Sequence, residues 1–147
     1  MTQPLRGSSA AGAARLLRVS TEPASLARIR RFVEHEAIEL GAGQDAAADV
    51  VQAVDESVTN IIVHGYRGAH GVVEVEIRAV DGALVVHLRD HAPTFDPTRV
   101  PRPDLSRPLE RRPLGGMGVH LARELTDEVI HRIPPGWGNE LTIIKRI

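Results

Sequence analysis

Hydrophobic positions along the chain change period several times, and each change marks an element. Ala13 to Ser20 reads as a first strand that runs into the turn-like Ser20-Thr21-Glu22-Pro23. Ser20 or Thr21 can cap a helix, and Pro23 suits its first turn. Leu26, Ile29, Phe32, Val33, Ala37 and Leu40 then recur at helical spacing, which predicts a helix ended by Gly41 and Gly43. Ala47, Val50, Val51, Val54, Val58, Ile61 and Ile62 form a second buried stripe, with Asp45 as the expected N-cap and Gly65 and Gly68 at the exit. Val72, Val73, Val75 and Ile77 precede Asp81-Gly82, and Leu84, Val85, Val86 and Leu88 follow it. Asp-Gly between two such runs is a hairpin signal.

From His91 to Pro113 the periodicity stops. Six of the ten prolines fall there, interleaved with Arg99, Arg102, Arg107, Arg111 and Arg112. A structureless stretch of this length inside a compact domain is uncommon, and residues 91–113 read as a functional lid, with a disordered linker as the alternative. Leu114-Gly115-Gly116-Met117-Gly118 then opens a helix through Leu121 and Leu125. Asp127 to Ile133 reads as a strand, Pro134 to Asn139 as a turn, and Leu141, Ile143, Ile144 and Ile147 as the closing strand. The order β-α-α-β-β-loop-α-β-β predicts an α+β fold: a two-layer sandwich with a mixed, mostly antiparallel sheet and helices on one face. Residues 1–14 lack periodicity and read as a flexible tail, leaving one domain over residues 15–147.

Composition narrows the functional classes. Hydrophobic residues make up 42% and charged residues 25% of the 147, which suits a soluble globular domain. The formal net charge of -1 supplies no general attraction to nucleic acid or anionic lipid. Two Phe, one Tyr and one Trp leave little material for stacking single-stranded bases. The absence of cysteine removes disulfides, thiolate metal sites and a cysteine nucleophile, and it fits a cytoplasmic location. No apolar run approaches the roughly 20 residues of a membrane span, and Met1 to Ala14 lacks the apolar core of a signal peptide.

Three features carry candidate chemistry. Glu56, Asn60 and His64 are spaced by four on the second helix, on a face away from the Val/Ile stripe. Asn is a poor residue for an exposed helix interior, so a solvated polar face explains it badly. A neutral oxygen one turn beyond a carboxylate suits magnesium, which takes few protein ligands, and leaves the carboxylate free as a base. Second, Gly115, Gly116 and Gly118 precede a helix, where backbone N–H groups and the helix dipole favour an anion. The run lacks the Gly-Lys-Ser/Thr of a Walker loop, and a hinge at the end of the lid is the alternative. Third, Asp90 ends an apolar strand, where its carboxylate can accept the exocyclic amine of adenine or simply form a turn.

The segment from Ala53 to Tyr66 resembles the N-box of the GHKL ATPases, in the form found in the anti-sigma-factor serine kinases of sporulation and general stress. Asp90 to Pro97, through Phe95-Asp96-Pro97, resembles the first glycine box of that family. Gly115-Gly116-Met117-Gly118-Val119-His120-Leu121 resembles the second, and Gly138 to Lys145 the closing strand. The similarity runs from about residue 15 to the C-terminus and implies the Bergerat fold. It implies ATP and magnesium as cofactors, with Asn60 as the magnesium ligand, Glu56 as general base, and Asp90 on the adenine amine. It further places His64, Ala92, Phe95, Gly115, Gly116, Met117, Gly118 and Val119 at the nucleotide, and Thr142 near the adenine. The implied activity is phosphorylation of a serine on a STAS-type anti-anti-sigma protein, by a kinase that otherwise sequesters a sigma factor. Dimerisation is usual in similar proteins.

The first glycine box departs from the family pattern at Ala92, where glycine is expected. A position that needs φ > 0 would be strained by about 1–3 kcal/mol on carrying a methyl group. Lid arginines can neutralise phosphate charge, with Arg107, Arg111 and Arg112 nearest the glycine turn. The competing function is a non-catalytic binding module of the same fold. The ATPase half of a sensor histidine kinase fits less well, because His35 is the only histidine ahead of the second helix and a two-helix hairpin has no room there. A zinc site is not supported: His87 and His91 lie at a strand end and no cysteine completes a four-ligand set.

Overall fold

The computed structural model describes residues 13–99 and 116–147, and within these the side chains of all but residues 99 and 116–120. Residues 1–12 of the expected tail, the lid beyond residue 99, Gly115 and the three candidate lid arginines therefore lie outside the described residues. The elements are β1 (Arg15–Ser20), α1 (Ser25–Glu39), α2 (Gln44–Asn60), a π turn (Ile61–Gly65), β2 (Val72–Val80), β3 (Ala83–Asp90), a 3₁₀ turn (Pro97–Arg99), α3 (Gly116–Leu125), β4 (Glu128–Arg132) and β5 (Asn139–Arg146). The strand order is β1-β2-β3-β5-β4, and every pairing is antiparallel among the described residues, where the sequence suggested a mixed sheet.

The period-two pattern explains which face is covered. Along β3 the side chains alternate strictly, with Leu84, Val86, Leu88 and Asp90 buried. The apolar set from β2, β3 and β5 meets Ile29 and Val33 of α1 and Val50, Val54 and Val58 of α2, all at most 1% exposed. Each such side chain contributes about 1.5–3 kcal/mol by leaving water. Aliphatic burial thus holds the helices on one face of the sheet, the α+β sandwich that the order of elements predicts. Asp81 and Gly82 both have positive φ, 48° and 78°, as the tight hairpin between β2 and β3 requires.

Element ends differ from the sequence reading by a few residues. Neither Ser20 nor Thr21 caps α1, whose N-cap is Ala24 with no side-chain cap bond. The Thr21 hydroxyl instead accepts from the Gly71 N–H (2.9 Å), joining the end of β1 to the start of β2. Ser25 takes over locally: its hydroxyl accepts from the Glu22 N–H at 3.1 Å and donates to the Ser20 carbonyl. Gly41, at φ 107°, closes α1, while Gly43 is the N-cap of α2 and Asp45 sits inside its first turn. A carboxylate there still favours the helix dipole.

Candidate nucleotide site

The α-helical turns of α2 stop at Asn60, and the next five residues form a π turn, closed by a bond from the Tyr66 N–H to the Ile61 carbonyl at 2.8 Å. Wide turns of this kind recur at functional sites. The turn faces the loop that follows β3, and between them opens a cavity of about 960 Å³. That volume matches a small-molecule site. Asn60 and His64 line it from the helix side, Asp90, Ala92 and Phe95 from the loop side, and His131 and Asn139 from β4 and β5. Five of the expected site residues thus meet although they lie on two elements separated by the β2–β3 hairpin.

Asp90 is 2% exposed. Burial pushes its carboxyl above the ordinary range, while hydrogen bonds from Asn139 and the Ala92 N–H pull the other way. Both donors reach Oδ1, Asn139 Nδ2 at 3.0 Å and Ala92 N at 2.9 Å. Oδ2 is the oxygen left for a ligand. The backbone at residue 90 is pinned as well, since the Gly138 N–H donates to its carbonyl at 2.7 Å. Gly138 is obligatory there: a Cβ would lie 2.1 Å from the Ala92 carbonyl oxygen.

The strain anticipated at Ala92 is absent. Among the described non-glycine residues only Arg67 and Asp81 have positive φ. Ala92 is buried, and its methyl is accommodated at the end of the π turn, where a Cβ on Gly65 would stand 3.1 Å from it. Glycine at 65 leaves the room that the methyl at 92 occupies.

Other expected residues lie elsewhere. Glu56 is half-buried one turn before Asn60, outside the cavity lining, with its Oε1 accepting from Gln52 Nε2 at 3.0 Å. Thr142 is not brought to the cavity. The ladder pairs it with His87, and its hydroxyl lies 2.8 Å from His87 Nδ1 on the face opposite the helices. Alternation decides this: Asn139 and Leu141 share the face of Asp90 and Leu88, and Thr142 takes the other. Gly116, Met117, Gly118 and Val119 form the first turn of α3, whose helical backbone is described from Gly116 onward.

Asn139, Tyr66 and His131 were not singled out in the sequence as individual site residues. The Tyr66 hydroxyl donates to the Val72 carbonyl at 2.8 Å and accepts from the His91 N–H at 2.7 Å, tying the exit of the π turn to the loop after β3. His131 Nε2 lies 2.8 Å from Asn139 Oδ1. Only the strand register, which pairs it directly with Asp90, brings Asn139 to the site.

Comparison with known proteins agrees with this fold. Residues 19–145 match the family described as the histidine kinase-like ATPase domain. The serine-protein kinase RsbW of Bacillus thuringiensis is 26% identical over 117 residues, 77% of this chain and 73% of that protein. The serine/threonine-protein kinase BtrW of Bordetella bronchiseptica is 29% identical over 90 residues, 60% of this chain and 63% of that one. In the solved structure of the RsbU and RsbW domains of Rv1364c from Mycobacterium tuberculosis, the similarity has a TM-score of 0.62 at 19% identity, covering 90% of this chain and 31% of that longer chain. A family match over residues 19–145, on a fold in which the end of α2 and the loop after β3 close on one cavity, makes this protein a member of the histidine kinase-like ATPase (GHKL) family.

Proposed function

We propose that the chain is an ATP-dependent protein serine kinase that acts as an anti-sigma factor on a STAS-type partner. The observation that carries this reading is the meeting of Asn60 and Asp90 in one cavity from opposite walls. Asp90 offers an acceptor to the exocyclic amine of adenine, and Asn60 lies on the wall where a neutral oxygen can ligate magnesium. Among the described residues no group of three His, Asp or Glu side chains could hold a metal by itself. A single Asn oxygen suits magnesium that takes its other ligands from phosphate and water. Bound there, magnesium would offset the charge that develops on the phosphates.

Glu56 takes the proton from the partner's serine hydroxyl as that oxygen attacks the γ-phosphorus and ADP leaves. A positioned base contributes about 10²–10⁴-fold. Its reach depends on release from Gln52, which the incoming hydroxyl can replace as hydrogen-bond partner. The sequestered sigma factor, the STAS partner and homodimerisation belong to this same proposal, as does a cytoplasmic location. No helix among the described residues is long and apolar enough to cross a membrane.

The test is phosphate transfer from Mg-ATP to a STAS partner by Glu56→Gln. Transfer is expected to fall about 10²–10⁴-fold while ATP affinity stays within a few-fold of the parent. Equal transfer by the variant removes Glu56 from the mechanism. The second reading, a non-catalytic module that sequesters a regulator, is favoured by the placement of Glu56 outside the cavity lining. Calorimetry with Mg-ATP separates the two, because no binding at millimolar nucleotide leaves only the module.

A further inference from the structure

Asn139 is 8% exposed, begins β5 and faces the cavity opposite Asp90. Both edges of its amide are occupied, and by groups of opposite polarity. Nδ2 donates to Asp90 Oδ1 at 3.0 Å, to the Ala92 carbonyl at 3.2 Å and to the Pro93 carbonyl at 3.3 Å. Oδ1 accepts from the Phe95 N–H at 3.0 Å and faces His131 Nε2 at 2.8 Å. A flipped amide would set oxygen against three oxygens and N–H against N–H, so the orientation is over-determined.

We infer that Asn139 is a positioning residue that sets base discrimination in the cavity, by holding the Asp90 carboxylate as an acceptor for an exocyclic amine. The inference rests on the nucleotide reading above. With Oδ1 fixed by Asn139 and the Ala92 N–H, Oδ2 can meet an amine such as that of adenine. A purine bearing an oxo group at the same position would set oxygen against oxygen and is rejected. Without Asn139 the buried carboxyl keeps one donor and binds a proton more readily. Once protonated it donates rather than accepts, and an oxo purine is then tolerated. The ionisable groups around it are His91 in the following loop, His131 on β4 with Asp96 beyond it, and His64, Tyr66 and Arg67 across the cavity.

The experiment is calorimetry on the full chain with Mg-ATP and Mg-ITP, at mildly acidic and mildly alkaline pH. The parent is expected to prefer ATP by about tenfold or more, the worth of one hydrogen bond to a charged group. In Asn139→Ala the ATP-to-ITP ratio collapses toward one, and ITP gains on ATP as pH falls. Asn139→Leu keeps the volume and removes the donor, so it reports on the same ratio if the alanine variant does not fold. Repeating the alanine change in a His131→Gln background, which has no ionisable group at that position, should leave the pH trend in place. A variant that weakens both nucleotides alike, with the parental ratio and pH profile, makes Asn139 merely structural and overturns the inference alone. A parent that binds neither nucleotide overturns the inference together with the nucleotide reading.

Discussion

At the scale of the residue, Asp90 is a carboxyl almost wholly buried in the wall of the cavity. Burial raises its pKa in the fold, so its contribution to stability is fully present below the unfolded carboxylate pKa and is lost as pH rises through the folded value. At neutral pH the parent therefore carries a cost at this position. Asp90→Asn removes the charge, can still accept from Asn139 through its own oxygen, and is expected to leave the nucleotide-free protein as stable or up to about 1 kcal/mol more stable near neutrality. The same change turns N–H toward the base amine, and ATP binding should fall at least tenfold. Thermal melts with and without Mg-ATP read both effects. A variant that is destabilised near neutrality would show that the carboxylate is held for structure rather than for a ligand.

At the scale of the element, the sheet face opposite the helices is organised by charge. Arg89 on β3 bonds Glu76 and Glu140 at 2.8 Å and Glu74 at 3.0 Å, and Arg18 on β1 also pairs with Glu74. Burial pushes Glu74 upward, but the bonds from Arg18 and Arg89 outweigh it and leave its carboxyl below the ordinary value. That contribution is present above the unfolded pKa and is lost as pH falls through the folded one. One guanidinium thus joins strands β2, β3 and β5. Arg89→Met is expected to cost about 3–5 kcal/mol at neutral pH, because three carboxylates remain together without it. The gap to the parent should narrow in acid as the carboxylates take up protons. Denaturant melts of both proteins across the acid range measure this, and a gap that does not change with pH would assign the loss to packing of the arginine stem.

At the scale of the whole molecule, the cavity joins parts that local stability does not couple. Its walls are the π turn after α2, the loop after β3 and the starts or ends of β4 and β5. A ligand that bridges them stabilises the fold by mass action, about 2.7 kcal/mol at a hundred times its Kd. For a chain of this size that corresponds to a rise in Tm of roughly 5–11 °C. At the same concentration Mg-ATP should produce this shift in the parent and in Glu56→Gln, and at most about half of it in Asp90→Asn, whose affinity is at least tenfold lower. A second link crosses the layers at the far end, where Lys145 on β5 bonds Asp49 of α2 at 3.0 Å and the Leu125 carbonyl at the end of α3 at 2.8 Å. The C-terminal end of α3 is therefore anchored to the sheet and to α2 at once.

The order of elements, the stripe on α2, the Asp-Gly hairpin and the candidate pair Asn60 and Asp90 were legible in the amino-acid sequence, because each rests on period or on local backbone chemistry. Phe95 and Ala92 were legible only through likeness to a family, and so was Thr142. Tertiary structure decided what neither period nor likeness reaches. Side-chain parity in β5 sends Thr142 to the charged face beside His87 and turns Asn139 toward Asp90. A π turn in place of continued α-helix sets where His64 stands relative to Asn60. Absence of strain at Ala92 depends on a glycine 27 positions earlier at residue 65. Pairing register and contact between distant segments are properties of the folded chain, since a shift of one residue changes no local preference yet reverses which face every side chain takes.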